Sequence, residues 1–272
     1  MRFNYPKIGI ALSGGAARGN AHVGVLRALA ENNIHIDFIA GTSAGAIVGG
    51  ALAAGMPLDD IEEFGRKLRW RNIGRVTMSR FGLQSNERLE QYLRARLPIS
   101  KFEDLPIPFA AVATDLKTGA AVVMRDRGDL PFAIRASCTI PGWYVPVTDE
   151  HGRQLVDGGL VAVVPSTVVR SLGADIVIAV DVNADGAKFF GASSPILGVV
   201  LKALLVFQKT GSQHQLDSAD LVIAPKVGHI RWDQMRRADE LIAAGYEAGL
   251  ESIPRIRALI EEAVESDIYV YQ

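Results

Sequence analysis

The chain of 272 residues is 49% hydrophobic and 22% charged, and its 29 Lys and Arg against 30 Asp and Glu leave a net charge of −1. That balance fits one large α/β domain and excludes long disorder and a domain-wide basic surface for nucleic acid. The only cysteine, Cys138, excludes an internal disulfide, and no Cys/His spacing suits zinc.

In chain order, residues 7–12 (KIGIAL) read as a buried strand and 13–19 (SGGAARG) as a glycine-rich turn. Residues 21–31 have helical spacing, with Val25, Leu26, Leu29 and Ala30 on one face. A second strand covers 36–40. A helix of small residues covers 44–54 and stops at Gly55, with Pro57 beyond. Residues 58–69 and 86–96 read as amphipathic helices. Strands at 109–114 and 120–124 flank the turn Lys117-Thr118-Gly119. Residues 130–136 read as a helix, 139–147 (TIPGWYVPV) as a loop, and 154–156 as a strand leading into Asp157-Gly158-Gly159. A helix at 166–172 is capped by Gly173. The continuous apolar runs 175–180 and 221–225 suit a parallel sheet covered on both faces. Residues 233–250 and 254–264 read as two helices, and 184–194 as the loosest stretch. The alternation predicts a three-layer α/β/α fold with a mainly parallel central sheet. One domain over 1–272 is expected, with core motifs at 8–180 and a C-terminal strand and helices at 220–265 packed on it.

Two glycine-rich turns carry the candidate chemistry. The first follows a strand and opens a helix, so its free amides suit a phosphate or a developing oxyanion. A dinucleotide fingerprint needs G-x-G-x-x-G and an acid ending the second strand; Ala16 and Gly41 stand at those places instead. The second turn, Gly41-Thr42-Ser43-Ala44-Gly45, has the G-x-S-x-G spacing of a nucleophile elbow. Its sharp bend lifts the serine hydroxyl off the sheet and leaves no room for side chains two positions away on either side. The competing reading is a capped helix start.

A serine needs a base. His22 and His35 precede the elbow, and His151 sits in a polar turn. His214 and His229 come late enough for a serine, acid, histidine order but stand in no motif. Asp157 is the stronger candidate, because a short apolar strand delivers it and two glycines follow. Its competing reading is an Asx turn. Cys138, among Ala136, Ser137, Thr139 and Ile140, reads as a small buried residue rather than a nucleophile.

SGGAARGNAHVGVL, GTSAG and DGG, in that order, resemble the patatin-like phospholipases, above all their small bacterial members. ASCTIPGWYVPV and RADELIAAGYEAG extend the resemblance over most of the chain. It implies a serine–aspartate dyad without histidine, hydrolysis of lipid acyl esters, and no metal or other cofactor. By motif, Ser43 is the nucleophile and Asp157 the base and acid. The oxyanion hole falls to the amides of Gly14, Gly15 and Ala16, with Arg18 steadying the loop or a phosphate. Gly41, Gly45, Gly158 and Gly159 are motif glycines. A carboxylate that serves as both base and acid needs its pKa raised by an apolar site.

Two departures bear on efficiency and substrate. Ala16 stands where the family usually has a third glycine, and GGLVAVVP lacks the polar residue that many members carry before the proline. A catalytically weak lipid-binding or regulatory protein is therefore the alternative. The implied partners are a lipid acyl ester and, transiently, a membrane surface, without nucleic acid. A cytoplasmic protein, peripheral at the membrane, is expected, since the N-terminus lacks a signal-peptide core. The run 195–207 (PILGVVLKALLVF) is too short to span a bilayer and reads as a core helix, or else as an interfacial flap or oligomer contact. Trp143 and Tyr144 read as packing residues, or else as the lining of an acyl pocket.

Overall fold

Strand β1 (Ile8–Leu12) shows why the central sheet has two unlike faces. Its large residues Ile8, Ile10 and Leu12 alternate with Gly9 and Ala11, and successive side chains of a strand point to opposite sides. The register carries the contrast across the sheet. Ile10 pairs with Ile39 and Ile178, while Ala11 pairs with Ala40 and Ala179. The large side chains join one core with helices α1 (Asn20–Glu31) and α2 (Ala44–Ala53). The alanines form a thinner second core with Val169 and Ala174. Helix α7 (Ser166–Ser171) lies on that small-residue face, so close that a Cβ on Gly9 would overlap Val169.

The computed structural model describes residues 5–185, 199, 202, 203, 206–208 and 215–270, the side chains of 266–270 excepted. The main sheet runs β11 (Leu221–Ile223), β10 (Ile176–Val180), β1, β2 (Phe38–Thr42), β5 (Phe109–Asp115), β9 (Gln154–Asp157), β8 (Val147–Thr148), with β6 (Ala121–Met124) also on β5. From β11 to β5 every pairing is parallel; β6, β8 and β9 pair antiparallel. The expected α/β architecture with a mainly parallel sheet is therefore present. Helices α3 (Leu58–Lys67), α5 (Glu87–Arg94) and α6 (Leu130–Ser137) contribute Ile61, Leu89 and Ile134 to the larger core.

Three differences from the sequence reading stand out. Residues 233–250 and 254–264 do not form two helices: a single helix, α8 (Ala238–Val270), runs through Pro254. Pro254 is exposed, so solvent can satisfy the carbonyl it leaves unbonded, while Ile253, Ile256 and Ile260 keep the buried stripe continuous. Next, the expected loop 139–147 contains β7 (Gly142–Tyr144) and the start of β8. Its partner, β4 (Gly82–Ser85), and the edge strand β3 (Arg75–Val76) follow a short helix α4 (Trp70–Ile73), all in a stretch with no expected element. Lastly, most of 184–194 and of 195–207 lies outside the described residues. Val199, Lys202, Ala203, Val206 and Phe207 are described and exposed, so the core reading fails for them.

Candidate active site

Ser43 and Asp157 are 114 positions apart in sequence, and strand register brings them together. The end of β2 pairs with β5 through Gly41–Ala111 and Thr42–Val112. The end of β9 pairs with β5 through Asp157–Ala113. Strand β6 pairs with Ala111 to Thr114 and so takes the other edge of β5. β2 and β9 therefore lie end to end along one edge of β5, pointing at each other, and Ser43 and Asp157 stand at the facing ends. A Cβ on Gly158 would come within 3.2 Å of the Thr42 Cγ2, which shows how tightly the two chain reversals meet.

The elbow is a strained bend held by packing. Ser43 has φ 53° and ψ −117°, a conformation an L-residue avoids unless its surroundings enforce it. A Cβ on Gly41 would run into the Gly45 carbonyl, and one on Gly45 into the Leu12 carbonyl. The two glycines are thus required by close backbone approach, as the spacing predicts. Ser43 stands at the N-terminus of α2 without using its hydroxyl as a cap. Its amide donates to Ser137 Oγ (2.8 Å), which in turn donates to the Val112 carbonyl (2.6 Å).

Asp157 is fixed through its backbone and half of its carboxylate. Its amide donates to the Thr139 carbonyl (2.8 Å), and its carbonyl accepts from Thr114 Oγ1 (2.9 Å). Oδ1 accepts the Gly159 amide (2.8 Å). The Ser43 hydroxyl lies near enough to this carboxylate to favour its charged form. Burial pushes the Asp157 pKa up to about 6, and the Gly159 amide and Ser43 hydroxyl, which favour the charged form, offset part of that rise. A hydroxyl against a buried carboxylate that titrates near neutrality is a pair that can pass a proton in both directions.

The segment after α6 touches both residues. Ser137 holds the Ser43 amide and Thr139 the Asp157 amide. Between them lies the buried Cys138 thiol; burial first, then the charge of Asp157, raise its pKa and keep it protonated. Asn86, fully buried, anchors the segment by donating to Thr139 Oγ1 (2.9 Å) and the Arg135 carbonyl (3.2 Å). Sequence reading noticed ASCTIPGWYVPV but assigned Ser137, Thr139 and Asn86 no role, because their partners are set by tertiary approach.

The glycine turn departs from its expected share. The Gly14 amide donates to the Val163 carbonyl (3.0 Å). Among the described residues the amides of Gly15 and Ala16 have no protein acceptor. Ala16 adopts φ 49°, where glycine would sit without strain. Arg18 is fully buried and donates to the carbonyls of Ile230 (2.7 Å) and Gly228 (3.2 Å). That geometry ties the turn to the 228–230 loop.

Among the described residues no histidine is a partner of Asp157. His22 is buried, its Nε2 donates to the Ser13 carbonyl (2.8 Å), and burial pulls its pKa down to about 4, so it is neutral. His229 pairs with Glu240 at 2.7 Å, and His35 and His151 lie beside Asp37 and Glu150, all in exposed positions. His214 lies outside the described residues. Tyr144 is buried, and Trp143 packs edge-on against Trp70 and Trp232 with ring centroids 6.5 and 6.3 Å away, so the packing reading of this pair holds. Among the described residues no cluster of His, Cys, Asp or Glu suits a metal ion, and no helix is long and apolar enough to cross a membrane.

A family model described as patatin-like phospholipase matches residues 10–169, more than half of the chain. The chain belongs to the patatin-like phospholipase family. The matched region holds both Ser43 and Asp157. An uncharacterized NTE family protein of Mycobacterium tuberculosis is 41% identical over 185 residues, covering 67% of this chain and 51% of its own length. A second one from that organism is 33% identical over 262 residues, 94% of this chain and 42% of its own. A patatin-like phospholipase domain-containing protein of Caenorhabditis elegans is 38% identical over 215 residues, covering 74% of this chain and 15% of its own. The chain thus spans about half or less of the length of these relatives. VipD from Legionella pneumophila shares the patatin-like fold at TM-score 0.54 and 13% identity, over 91% of this chain and 66% of its own. The type III effector ExoU does so at TM-score 0.52 and 15% identity, over 93% and 53%.

Proposed function

We propose that this chain is a serine acyl hydrolase that cleaves lipid acyl esters through a Ser43–Asp157 dyad. The observation that carries the reading is the end-to-end meeting of β2 and β9 on β5, which sets a strained serine against a buried carboxylate. Family membership supports the lipid ester as the substrate class.

In this reading Asp157 takes the Ser43 proton as the hydroxyl oxygen bonds to the ester carbonyl carbon. The amides of Gly15 and Ala16 receive the negative oxygen, and loss of one such donor typically raises the barrier by about 3 kcal/mol. The carbon–oxygen bond to the alcohol breaks, and Asp157 returns the proton to that leaving oxygen. Water then attacks the acyl-serine, gives its proton to Asp157, and the fatty acid departs as Ser43 is reprotonated. Burial matters to both halves. A carboxylate at its ordinary pKa would take the serine proton too weakly, and one titrating near 6 is a better base and still ionised at neutral pH.

One observation favours a second reading, lipid binding with weak turnover: Ala16 adds a methyl and backbone strain to the turn. A single experiment separates the two. A panel of phospholipids and p-nitrophenyl acyl esters is scored for released acid, with Ser43→Ala as the blank, alongside labelling by a fluorophosphonate. Serine-dependent release with label on Ser43 is expected. Binding without release would favour the second reading, and label on another residue would overturn the dyad.

A further inference from the structure

We infer that the hairpin formed by β3 and β4 is a docking element for an anionic lipid surface. It is argued from its own exposure and charge, and rests on the lipid-hydrolase reading only for its purpose. The hairpin projects four apolar side chains into solvent: Met78 is 102% exposed, Val76 79%, Phe81 69% and Leu83 50%. A soluble surface seldom gathers apolar side chains of this size on one short turn without a partner. Charge singles out the partner. From Phe64 to Asn86 the sequence holds Arg66, Lys67, Arg69, Arg71, Arg75 and Arg80 and no acidic residue, in a chain whose charges balance overall.

Arg66 and Lys67 are neutralised by Glu62, Asp239 and Glu63. Arg69, Arg71, Arg75 and Arg80 have no carboxylate within ion-pair distance among the described residues, and the last three are exposed. Phe and Met beside unpaired arginines suit the boundary between acyl chains and anionic headgroups, where apolar groups enter and cations remain at the surface. A second copy of this chain is a poorer occupant, since pairing two such hairpins would bring Arg75 and Arg80 against their own likes.

The hairpin is also joined to the candidate site. Strand β4 pairs in parallel with β7, through Gly82–Gly142 and Gln84–Tyr144, and Gly142 is four residues beyond Cys138. Its base is anchored by Trp70, whose Nε1 donates to the Asp233 carbonyl (3.1 Å) and whose ring packs on Trp143 and Trp232. A membrane seated on the tip would therefore be held by a rigid connection to the segment that touches Ser43.

The test uses the full chain carrying Ser43→Ala, so that lipid is bound and not consumed, in co-sedimentation with phosphatidylcholine vesicles with or without phosphatidylglycerol. Binding is expected to need phosphatidylglycerol and to weaken with salt. Met78→Ser with Phe81→Ser, and separately Arg75→Gln with Arg80→Gln, should each reduce partitioning about tenfold or more, since one arginine near an anionic surface is worth about fivefold. The same pairs in the otherwise unchanged chain should leave hydrolysis of a soluble ester intact. Equal binding to neutral vesicles, or binding unmoved by either pair, would overturn the proposal. A change of oligomeric state with the pairs, without a change in vesicle binding, would point to a second copy and also overturn it. Failure of the hydrolase reading would appear separately, as vesicle binding with no soluble-ester turnover.

Discussion

The parallel half of the sheet carries Ser43 and the antiparallel half carries Asp157, and the two are specified in different ways. On the parallel side, the bend is set by glycine spacing: Gly41 and Gly45 are packed against backbone, Gly45 against Leu12 of β1, and the bend between them has few conformations open to it. On the antiparallel side only the Gly159 amide holds Asp157 locally. Its place comes from pairing Asp157 with Ala113 and from the grip of Thr114 and Thr139 on its backbone. The proposed nucleophile is thus encoded largely by backbone stereochemistry, whereas its proposed base depends more on correct sheet assembly.

The largest structural effect should come from breaking the parallel side. Gly45→Ala forces a methyl into the Leu12 carbonyl, where backbone rather than side chain would have to yield. A loss of at least about 3 kcal/mol is expected, read from the denaturation midpoint. A midpoint near that of the unaltered chain would show that close approach does not set the elbow.

Asp157→Asn should have the opposite sign in stability. The folded pKa of about 6 lies above the reference 3.8. Folded protein therefore binds more protons than unfolded chain between these values, and stability falls as pH rises through that window. Above it the full penalty of the buried charge is present. The uncharged variant escapes it, so at pH 8 it should be more stable by up to about 3 kcal/mol, an advantage that fades by pH 4. Thermal melts across pH test this, and a variant less stable at pH 8 would contradict it. The ester hydrolysis rate of the unaltered chain should in turn fall as pH drops through about 6, where Asp157 becomes protonated.

Smaller effects sharpen the contrast. Ser137→Ala removes the acceptor of the Ser43 amide and the donor to Val112, and should cost about 1–3 kcal/mol of stability and slow turnover. Unchanged rate and stability would mean that α6 does not position the serine. Ala16→Gly should relieve the strained φ of 49° and gain about 1 kcal/mol at most, with turnover maintained or raised. A clear loss of stability would show the methyl to be useful where it is.

The same division explains what could be read in the sequence. The elbow, the strand Ile8–Leu12 and the helix after each glycine turn were legible, because glycine spacing and apolar runs are local signals. Strands β3, β4 and β7 were not. They are two, four and three residues long, β3 and β4 hold no buried residue, and β4 pairs with β7 across sixty positions, so no run of alternation marks them. Pro254 misled for the related reason that its tolerance depends on facing solvent, a property of the packed helix. The separation of the three turn amides, with Gly14 donating to Val163, is likewise invisible until the chain around Val163 is in place.

The central claim is that a carboxylate, without histidine, serves the serine. Turnover of a soluble p-nitrophenyl ester by Asp157→Asn, measured beside His214→Ala and His229→Ala with folding checked by melting, tests it most directly. The account predicts a loss of about a thousandfold or more for the aspartate variant alone, with both histidine variants near full rate. Near-full turnover by Asp157→Asn, together with loss in either histidine variant, would contradict it.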